Sequence, residues 1–404
     1  MVYDVIIIGA GAAGLFAAAS FSGKAKGLIL EKNASPGKKI LLTGKGKCNL
    51  THAGSAKDFL SHYGMQGKKL RPILYPFNNQ ALFQFFSSHG MPLVEQEDER
   101  IFPKTLRAED ILSLLVKMTE KNQFLIQYQE EVLSIEKEKK LYLISTKNNQ
   151  YLGKNILITT GGCSYPKTGS DGKMLSILKG MNLDIQEPKP ALVPIQIENY
   201  PFQELSGTSI PFAEVSLQKE KKQGSLLFTH QELSGPVILD LSRYADKGNP
   251  LMINYLPSLS LEEFIAQLQL TLRENTQQIS NGLFHFFQQN DPLPKKFLSL
   301  QLNRLKINEA TRSDQLSKKE IIRIASLLKK DQFIIKNVGS FQKAMITCGG
   351  IKLEEINLKS MESIKYPGLF FAGEILDVDG DCGGYNLQFA FSSAHLAMKS
   401  IFLK

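Results

Sequence analysis

The chain has 404 residues and a mass of 45.1 kDa, which is too long for one ordinary hydrophobic core and predicts two or three domains. Apolar residues make up 43% and charged residues 22% of the chain, a composition that excludes a disordered protein. The net charge of +9 and the pI near 9.1 are typical either of a protein with a polyanionic partner such as RNA or of one with a solvated basic face.

Short-range features of the sequence exclude several classes of protein. The longest apolar runs are short, as in VIII at residues 5–8, whereas a membrane helix needs about 20 apolar residues. Asp4 and the glycine turn after it do not resemble a secretory signal, so we predict a cytoplasmic protein that uses no membrane. The sequence has no metal-ligand spacing, and its widely separated cysteines argue against a disulfide framework: Cys48, Cys163, Cys348 and Cys382.

The first thirty residues predict a strand, a tight turn, a helix and a second strand. Gly9-x-Gly11-x-x-Gly14 fills the turn, and Glu31 ends the second strand. In this context Gly9 permits the turn, Gly11 lets a pyrophosphate approach backbone N–H groups, and Gly14 allows close packing of the helix. Glu31 would accept hydrogen bonds from a ribose diol. The segment therefore predicts a dinucleotide-binding site.

The remaining elements follow in chain order. Residues 55–120 look mostly helical, and residues 124–162 predict three antiparallel strands followed by a buried strand. From residue 188 onward, short strands broken by Pro and Gly indicate a compact β unit, after which capping boxes at Ser260–Glu263 and Ser317–Glu320 each open a helix. The last sixty residues return to a strand, a glycine turn and a helix.

This order of elements predicts the fold class and the domains. We expect an α/β protein whose doubly wound, Rossmann-like dinucleotide domain comprises residues 1–190 and 345–404. A substrate domain is inserted at residues 191–344, β-rich and barrel-like at 191–257 and mainly helical at 258–344. The insertion explains why dinucleotide-domain patterns occur at both ends of the chain.

The C-terminal segment favours FAD over NAD as the dinucleotide. A strand ends at Glu374, a glycine-rich loop with Gly383 and Gly384 follows, and a helix begins. An acid on the ribitol chain and a helix N-terminus near the electron-rich flavin O2 would hold the far end of FAD. A structural loop that caps the sheet is the alternative interpretation.

Four blocks of sequence resemble the BaiN/RdsA family of FAD-dependent oxidoreductases. The blocks are IIIGAGAAGL, GKKILLTGKGKCNLTHAG, ILITTGGCSYPKTGS with LLFTHQELSGPVIL, and the segment from ITCGG to FSSAH. The resemblance implies tightly bound FAD and a β-rich plus helical domain inserted into the flavin domain. It also implies one of three activities: reduction of a uridine C5=C6 bond in large-subunit ribosomal RNA, reduction of conjugated enones in bile-acid intermediates, or aminoacetone oxidation.

Three departures from the family pattern affect the carry-over of its contacts. The usual GGGRCN is GKGKCN here, with Lys45 and Lys47 in place of a glycine and an arginine. The usual GSTGDGY is shortened to GSDGKM, and Phe389 stands where the family has tryptophan.

The glycine turns, the two acids and the blocks that resemble the family together define the predicted FAD contacts. They comprise Gly9, Gly11, Ala12, Ala13, Gly14, Glu31, Lys32, Lys39, Thr43, Gly44, Asn49, Val132, Thr160, Gly161, Gly162, Gly373, Glu374, Asp377, Gly383, Gly384, Tyr385, Asn386 and Leu387.

Reduction of a polarised C=C bond needs a hydride from flavin N5 and a proton from the protein. Cys48 is the first predicted proton donor, because lysines flank it and a thiol can protonate a carbanion-like carbon. Tyr385 is the second, and close packing is the alternative for both residues. Substrate contacts are predicted at Lys45, Lys47, His52 and His230, with a turn or a structural histidine as the alternative for the last two.

The sequence thus predicts an FAD-dependent oxidoreductase. No second GxGxxG follows a strand, so NAD(P)H would act as a transient electron donor in the substrate cleft. The predicted substrate is a uridine of large-subunit ribosomal RNA, which gives dihydrouridine and would use the nine Lys or Arg residues between Lys32 and Arg71. The alternatives are a small-molecule enone reductase or amine oxidase, and a flavin-carrying RNA-binding factor without turnover.

Overall fold

The computed structural model describes residues 1–289 and 291–403. Two compact units divide the chain: a split unit of residues 1–190 and 341–404, and an inserted unit of Ala191–Ser340. The described strands are β1 (Val2–Ile8), β2 (Gly27–Glu31), β3 (Thr51–His52), β4 (Leu93–Glu95), β5 (Arg100–Pro103), β6 (Phe124–Tyr128), β7 (Val132–Glu138), β8 (Leu141–Thr146), β9 (Gln150–Ile158), β10 (Ile185–Ala191), β11 (Ile195–Ile197), β12 (Ser209–Leu217), β13 (Glu220–Phe228), β14 (Leu233–Ser234), β15 (Pro250–Asn254), β16 (Asp331–Val338), β17 (Ile346–Ile351), β18 (Ile356–Asn357), β19 (Glu362–Ser363) and β20 (Leu369–Phe371).

The described α-helices are α1 (Ala12–Ala19), α2 (Ala56–Phe59), α3 (Arg71–Leu74), α4 (Asn79–Ser88), α5 (Ala108–Lys121), α6 (Lys173–Gly180), α7 (Pro236–Leu241), α8 (Leu261–Arg273), α9 (Ile279–Gln289), α10 (Lys295–Arg304), α11 (Lys318–Lys329) and α12 (Tyr385–Phe402).

The split unit is organised around one large sheet. Its strand order is β18-β19-β20-β9-β1-β2-β6, with the β7–β8 hairpin attached to β9. Strands β20, β9, β1, β2 and β6 run parallel, and Ile7 at the centre lies opposite Ile29 and Leu157. The central strands lack alternation because apolar layers cover both faces of the sheet. This is the doubly wound architecture that the sequence predicts.

Helices α1 and α12 pack together against the sheet. Phe16 of α1 is fully buried, and its ring centroid lies 4.7 Å from that of Phe391 on α12 and 4.8 Å from that of Phe85. The alanines of α1 permit this approach, and the aromatic contacts hold α1 against α12 and α4. In the described ranges, no helix combines the length and the apolarity required to cross a membrane.

One prediction about the split unit is incomplete and another is wrong. Residues 55–120 are mostly helical, as predicted, since α2, α3, α4, most of α5 and the 3₁₀ segment Leu60–Leu70 lie there. The prediction omitted β4 and β5, which form a three-stranded antiparallel sheet with β3. These strands have only two to four residues, too few to show an alternating pattern. Strand β6 is parallel to β2 rather than part of an antiparallel set, because the chain returns along α5 before entering it, which is a crossover connection.

The inserted unit contains a closed barrel with the strand order β11-β14-β13-β12-β15-β16. All its strand pairs are antiparallel. Helices α8 and α11 begin at the two predicted capping boxes, where Ser260 and Ser317 accept hydrogen bonds from the N–H groups three residues on. The predicted fold class, a Rossmann-like domain with a barrel-like and helical insertion, is confirmed.

Candidate functional site

A long pocket lies in the split unit at the carboxyl ends of the central parallel strands. Ligands of doubly wound proteins bind in this crevice, outside the carboxyl ends of the strands. The pocket walls come from the segments after β1, β2, β9 and β20 and from the first turns of α12; they include Ile8–Ala13, Leu30–Asn33, Gly37–Ile40, Thr43, Glu130–Val132, Thr159–Gly161, Thr168–Met174, Ala372–Glu374, Asn386 and Leu387.

The glycine turn after β1 is shaped by two close approaches. A Cβ atom at Gly14 would lie 2.0 Å from the carbonyl oxygen of Gly9, so only glycine lets α1 pack on the turn. Gly9 has a φ of 104°, and a Cβ there would lie 2.9 Å from the carbonyl oxygen of Thr159. A Cβ at Gly11, which lines the pocket, would meet no atom within 4 Å. The open space beside Gly11 and the free N–H groups of the α1 terminus suit a pyrophosphate.

Glu31 is held by two backbone N–H donors. Its Oε2 accepts a hydrogen bond of 2.8 Å from the N–H of Ala10, and its Oε1 accepts one of 2.8 Å from the N–H of Asn33. Asn33 Nδ2 donates a further bond of 2.7 Å to Oε1. These bonds fix the carboxylate, whose remaining lone pairs can accept from a ribose diol. No sequence motif pointed to Asn33.

Two polar side-chain atoms that line the pocket are buried without a partner in the described part of the chain. They are Thr160 Oγ1 and Glu130 Oε2. Buried polar atoms are normally hydrogen-bonded, so an orphaned pair facing one pocket indicates a polar ligand. The turn at Gly11, the Glu31 carboxylate and these atoms together fit FAD. When bound, FAD supplies two-electron hydride chemistry.

Glu374 takes part in a polar network on the opposite wall. Lys39 Nζ donates to Glu374 Oε2 at 2.5 Å and also to Ser164 Oγ. Ser164 Oγ donates to Glu374 Oε1 at 2.5 Å, and the N–H of Thr347 donates to the same oxygen at 2.8 Å. Lys39 and Glu374 line the pocket as predicted. The sequence did not reveal Ser164 or Thr347, which come from distant segments.

The second glycine loop differs from its predicted position. Gly383 and Gly384 have φ values of 130° and 96°, but neither lines the pocket. A Cβ at Gly384 would lie 2.7 Å from the Thr51 backbone, so this glycine serves packing against β3. Asp377 is also outside the pocket walls, and burial, followed by the nearby Asp379, raises the pKa of its carboxyl group.

Most of the predicted FAD contacts line the pocket, and the others do not. Those in the walls are Gly9, Gly11, Ala12, Ala13, Glu31, Lys32, Lys39, Thr43, Val132, Thr160, Gly161, Gly373, Glu374, Asn386 and Leu387. Those outside the walls are Gly14, Gly44, Asn49, Gly162, Asp377, Gly383, Gly384 and Tyr385.

The GKGKCN segment places its cysteine and its lysines in opposite environments. Thr43 lines the pocket, while the side chains of Lys45 and Lys47 are exposed. Lys45 and Cys48 both have positive φ values, and these turns direct the thiol inward. Cys48 is 0% exposed, and burial raises the pKa of its thiol to about 12.

The structure does not favour Cys48 as the proton donor. Its thiol has no exposed surface and does not line the pocket. Desolvation is the main cause of the raised thiol pKa, and a hydrogen bond with the side chain of Thr43 opposes it. Cys48 is better explained as a small core residue beneath the loop.

The predicted histidines and Tyr385 fall into two groups. His52 lies half-buried in β3, with its ring centroid 5.2 Å from that of Tyr385 and nearly parallel to it. His62, which the sequence analysis missed, stacks on the same tyrosine at 4.1 Å. His230 is exposed in the loop between β13 and β14 of the inserted unit. Among the described residues, no group of three or more His, Cys, Asp or Glu side chains could hold a metal ion.

The buried thiol predicts a pH dependence of stability. The folded state keeps the Cys48 proton up to a pKa of about 12, whereas the ordinary value is 9.0. The stabilising contribution of the protonated thiol is therefore complete below pH 9 and is lost as the pH rises toward 12. We expect the difference in unfolding free energy between native protein and Cys48→Ala to narrow between pH 8 and about pH 10.5 in urea titrations. A constant difference would contradict this burial.

The Glu31 geometry predicts weakened flavin binding after a neutral substitution. Glu31→Gln removes the charge that strengthens the ribose hydrogen bonds, so we expect the dissociation constant of FAD to rise roughly 10- to 100-fold. Calorimetric titration of the apoprotein with FAD measures the change. Glu109→Gln, at an exposed carboxylate in the first turn of α5, is the matched control. Equal FAD affinities of the two variants would show that Glu31 does not contribute to FAD binding.

Two known proteins are similar to this chain over nearly its full length. The chain is 30% identical over 401 residues to the ribosomal RNA dihydrouridine synthase of Escherichia coli (strain K12), covering 97% of this chain and 96% of the relative. It is 27% identical to the 3-dehydro-bile acid delta(4,6)-reductase of Clostridium scindens, covering 97% of both chains.

Solved structures and the family comparison agree with the fold. The 3-ketosteroid delta1-dehydrogenase of Sterolibacterium denitrificans is similar over 99% of both chains, with a TM-score of 0.52 and 11% identity, which supports the fold alone. The family described as HI0933-like protein Rossmann domain matches residues 3–400. The chain therefore belongs to the HI0933-like family and is an FAD-dependent oxidoreductase.

Proposed function

We propose that the protein uses NAD(P)H to reduce the C5=C6 bond of a uridine in large-subunit ribosomal RNA, giving dihydrouridine. The observation that carries this proposal is the full-length similarity to relatives named ribosomal RNA dihydrouridine synthase, at 30% identity in both Escherichia coli and Haemophilus influenzae. The pocket geometry supports the shared chemistry, since it fits the flavin that such a reduction requires.

The exposed lysines beside the pocket support an RNA substrate. Thr43 lines the pocket, and Lys45 and Lys47 follow it in the same loop with exposed side chains. Neither lysine has an ion-pair partner in the part of the chain that the structure describes. Unpaired cations near a reaction site are suited to phosphate groups, because binding releases counterions from the RNA.

The electron donor is proposed to enter transiently. The sequence contains one strand-associated GxGxxG, and the FAD pocket accounts for it. NAD(P)H would therefore occupy the acceptor's space, transfer a hydride and leave before the acceptor binds.

A second proposal is reduction of a small conjugated enone. It is favoured by the similarity to the bile acid delta(4,6)-reductase of Clostridium scindens. Amine oxidation and a flavin-carrying RNA-binding role without turnover are the remaining alternatives. The chemistry of FAD is compatible with amine oxidation. Reduction of the flavin by NAD(P)H would argue against an RNA-binding role without turnover.

Flavin spectroscopy combined with RNA analysis tests the proposed function. We expect anaerobic NADPH or NADH to bleach the flavin absorbance, and large-subunit ribosomal RNA from a gene-deletion strain to restore it with one uridine converted to dihydrouridine. RNA from the parent strain, which is already modified, is the control. Restoration only by a conjugated enone or by oxygen would favour the small-molecule alternatives. A flavin that NAD(P)H never bleaches would contradict the donor assignment.

The lysine loop predicts a salt-dependent RNA affinity. In Lys45→Gln/Lys47→Gln we expect a weaker affinity for the ribosomal RNA fragment, with the slope of log K against log salt reduced by roughly 0.7–0.9 for each lost phosphate contact. Fluorescence anisotropy at several salt concentrations measures both quantities. Lys139→Gln/Lys140→Gln, in the exposed turn between β7 and β8, is the control. Identical slopes for the two double variants would exclude the loop as an RNA contact.

A further inference from the structure

Three aromatic rings form a stack at the N-terminus of α12. The Tyr385 ring centroid lies 4.1 Å from that of His62 with an interplanar angle of 14°, and 5.2 Å from that of His52 with an angle of 17°. The two imidazole centroids are 6.5 Å apart. Three residues from three separate segments are thus held nearly parallel.

A carboxylate orients one of the imidazoles. His62 Nδ1 lies 3.1 Å from Oδ2 of Asp381, and the backbone N–H of Asp381 donates to the carbonyl oxygen of His62 at 2.9 Å. The Asp381 side chain is 6% exposed, whereas that of His62 is 36% exposed. A carboxylate bound to Nδ1 favours the tautomer that carries the Nδ1 proton and leaves Nε2 available for exchange.

The stack lies outside the wall of the cofactor pocket and is linked to it through the first turn of α12. Asn386 follows Tyr385 in the chain and lines the pocket. Its Nδ2 donates to the carbonyl oxygen of Gly380 at 2.8 Å, while the N–H of Gly380 donates to its Oδ1 at 2.7 Å. These two bonds fix the loop that carries Asp381, so the position of His62 is coupled to the pocket wall.

The other acids beside this wall are poorly placed to exchange protons with a ligand. Cys48 is fully buried, and Tyr385 is 3% exposed beneath the imidazoles. Tyr63 is also buried, and it donates from its hydroxyl to the carbonyl oxygen of Tyr385 at 2.8 Å. Among these candidates, His62 combines a titratable atom with an exposed surface.

We propose that His62 is the proton donor of the reduction and that Asp381 is its positioning residue. This inference depends on the proposed C=C reduction. One alkene carbon gains a hydride from the reduced cofactor, and its neighbour gains the Nε2 proton of the His62 imidazolium. The alkene π bond, the Nε2–H bond and the bond by which the reduced cofactor would hold the hydride break as the two C–H bonds form, and NAD(P)H supplies the two electrons. The neutral imidazole recovers its proton from water.

Two carboxylates and two aromatic rings lie near His62. The carboxylates of Asp381 on the loop and Asp58 on α2 provide negative charge. Within the stack, the ring centroid of Tyr385 lies 4.1 Å and that of His52 6.5 Å from that of His62.

The test measures flavin reduction and flavin reoxidation separately in the His62→Gln variant. The glutamine keeps a side-chain donor for Asp381 but cannot deliver a proton. In stopped-flow experiments we expect flavin reduction by NADPH to be unchanged. Reoxidation by uridine-containing ribosomal RNA should slow by about 100-fold, with little change in the RNA concentration that gives half-maximal rate. The native reoxidation rate should fall with rising pH, and this dependence should disappear in the variant. His89→Gln, at an exposed histidine that ends α4, is the control.

A second variant and a spectroscopic measurement test the positioning role. In Asp381→Asn, ¹⁵N NMR shifts of His62 should change from the Nδ1–H tautomer to a mixture, and reoxidation should slow while the folded fraction measured by circular dichroism is retained. Added imidazole should partly restore the rate of His62→Ala. Normal reoxidation in His62→Gln with the pH dependence intact, or a change in half-saturation alone, would overturn the proposal.

The outcomes distinguish this proposal from the proposed RNA substrate. If native protein reduced by NADPH reacts with cyclohex-2-enone but not with RNA, the RNA assignment fails and His62 is then tested with the enone. If native protein reduces uridine and His62→Gln does so at the native rate, only the proton-donor assignment fails. If neither acceptor reoxidises the native flavin, both proposals fail.

Discussion

The close approach of α1 to the turn after β1 is the constraint on which the site depends. A Cβ at Gly14 would lie 2.0 Å from the Gly9 carbonyl oxygen, so any larger residue would force the helix away from the sheet. With glycine there, the helix N-terminus opens onto the carboxyl ends of the parallel strands. Thr159 Oγ1 donates to the carbonyl oxygens of Ile8 and Gly9, both at 2.9 Å, and thereby links the turn to β9. The pocket for the dinucleotide is the space that these contacts leave open.

The loop after Glu31 directs its side chains into three different environments. Thr43 faces the pocket, Lys45 and Lys47 face solvent, and Cys48 faces the core. Left-handed backbone conformations at Gly44, Lys45 and Cys48 produce these changes of direction. A cysteine among lysines looks reactive in sequence because proximity along the chain implies a shared environment. Here the backbone turns separate the cysteine from the lysines, and desolvation is the main cause of the raised thiol pKa.

The proton donor that we propose is accordingly a histidine rather than the cysteine. His62 and Asp381 are more than three hundred residues apart in the chain, and stacking on Tyr385 holds the imidazole in one orientation. The arrangement combines a buried carboxylate with a partly exposed ring, as expected for a group that must hold a proton and also release it. In the proposed reaction the lysine loop and this stack would serve separate requirements, phosphate attraction and proton delivery, so they could be altered independently.

The sequence by itself determined the features that depend on local geometry: the strand–turn–helix around Gly9 to Gly14, the acid at Glu31, the two capping boxes and the order of elements that gives a split Rossmann-like fold. These patterns are readable because each depends on residues within one turn or one strand. Tertiary structure alone decided the contacts between distant segments. Ser164 and Thr347 donate hydrogen bonds to Glu374, and Asp381 contacts His62. Gly384 packs against the Thr51 backbone and does not line the pocket. Burial of Cys48 was likewise undetermined in sequence, since a side chain's direction after several left-handed residues depends on the packing around it.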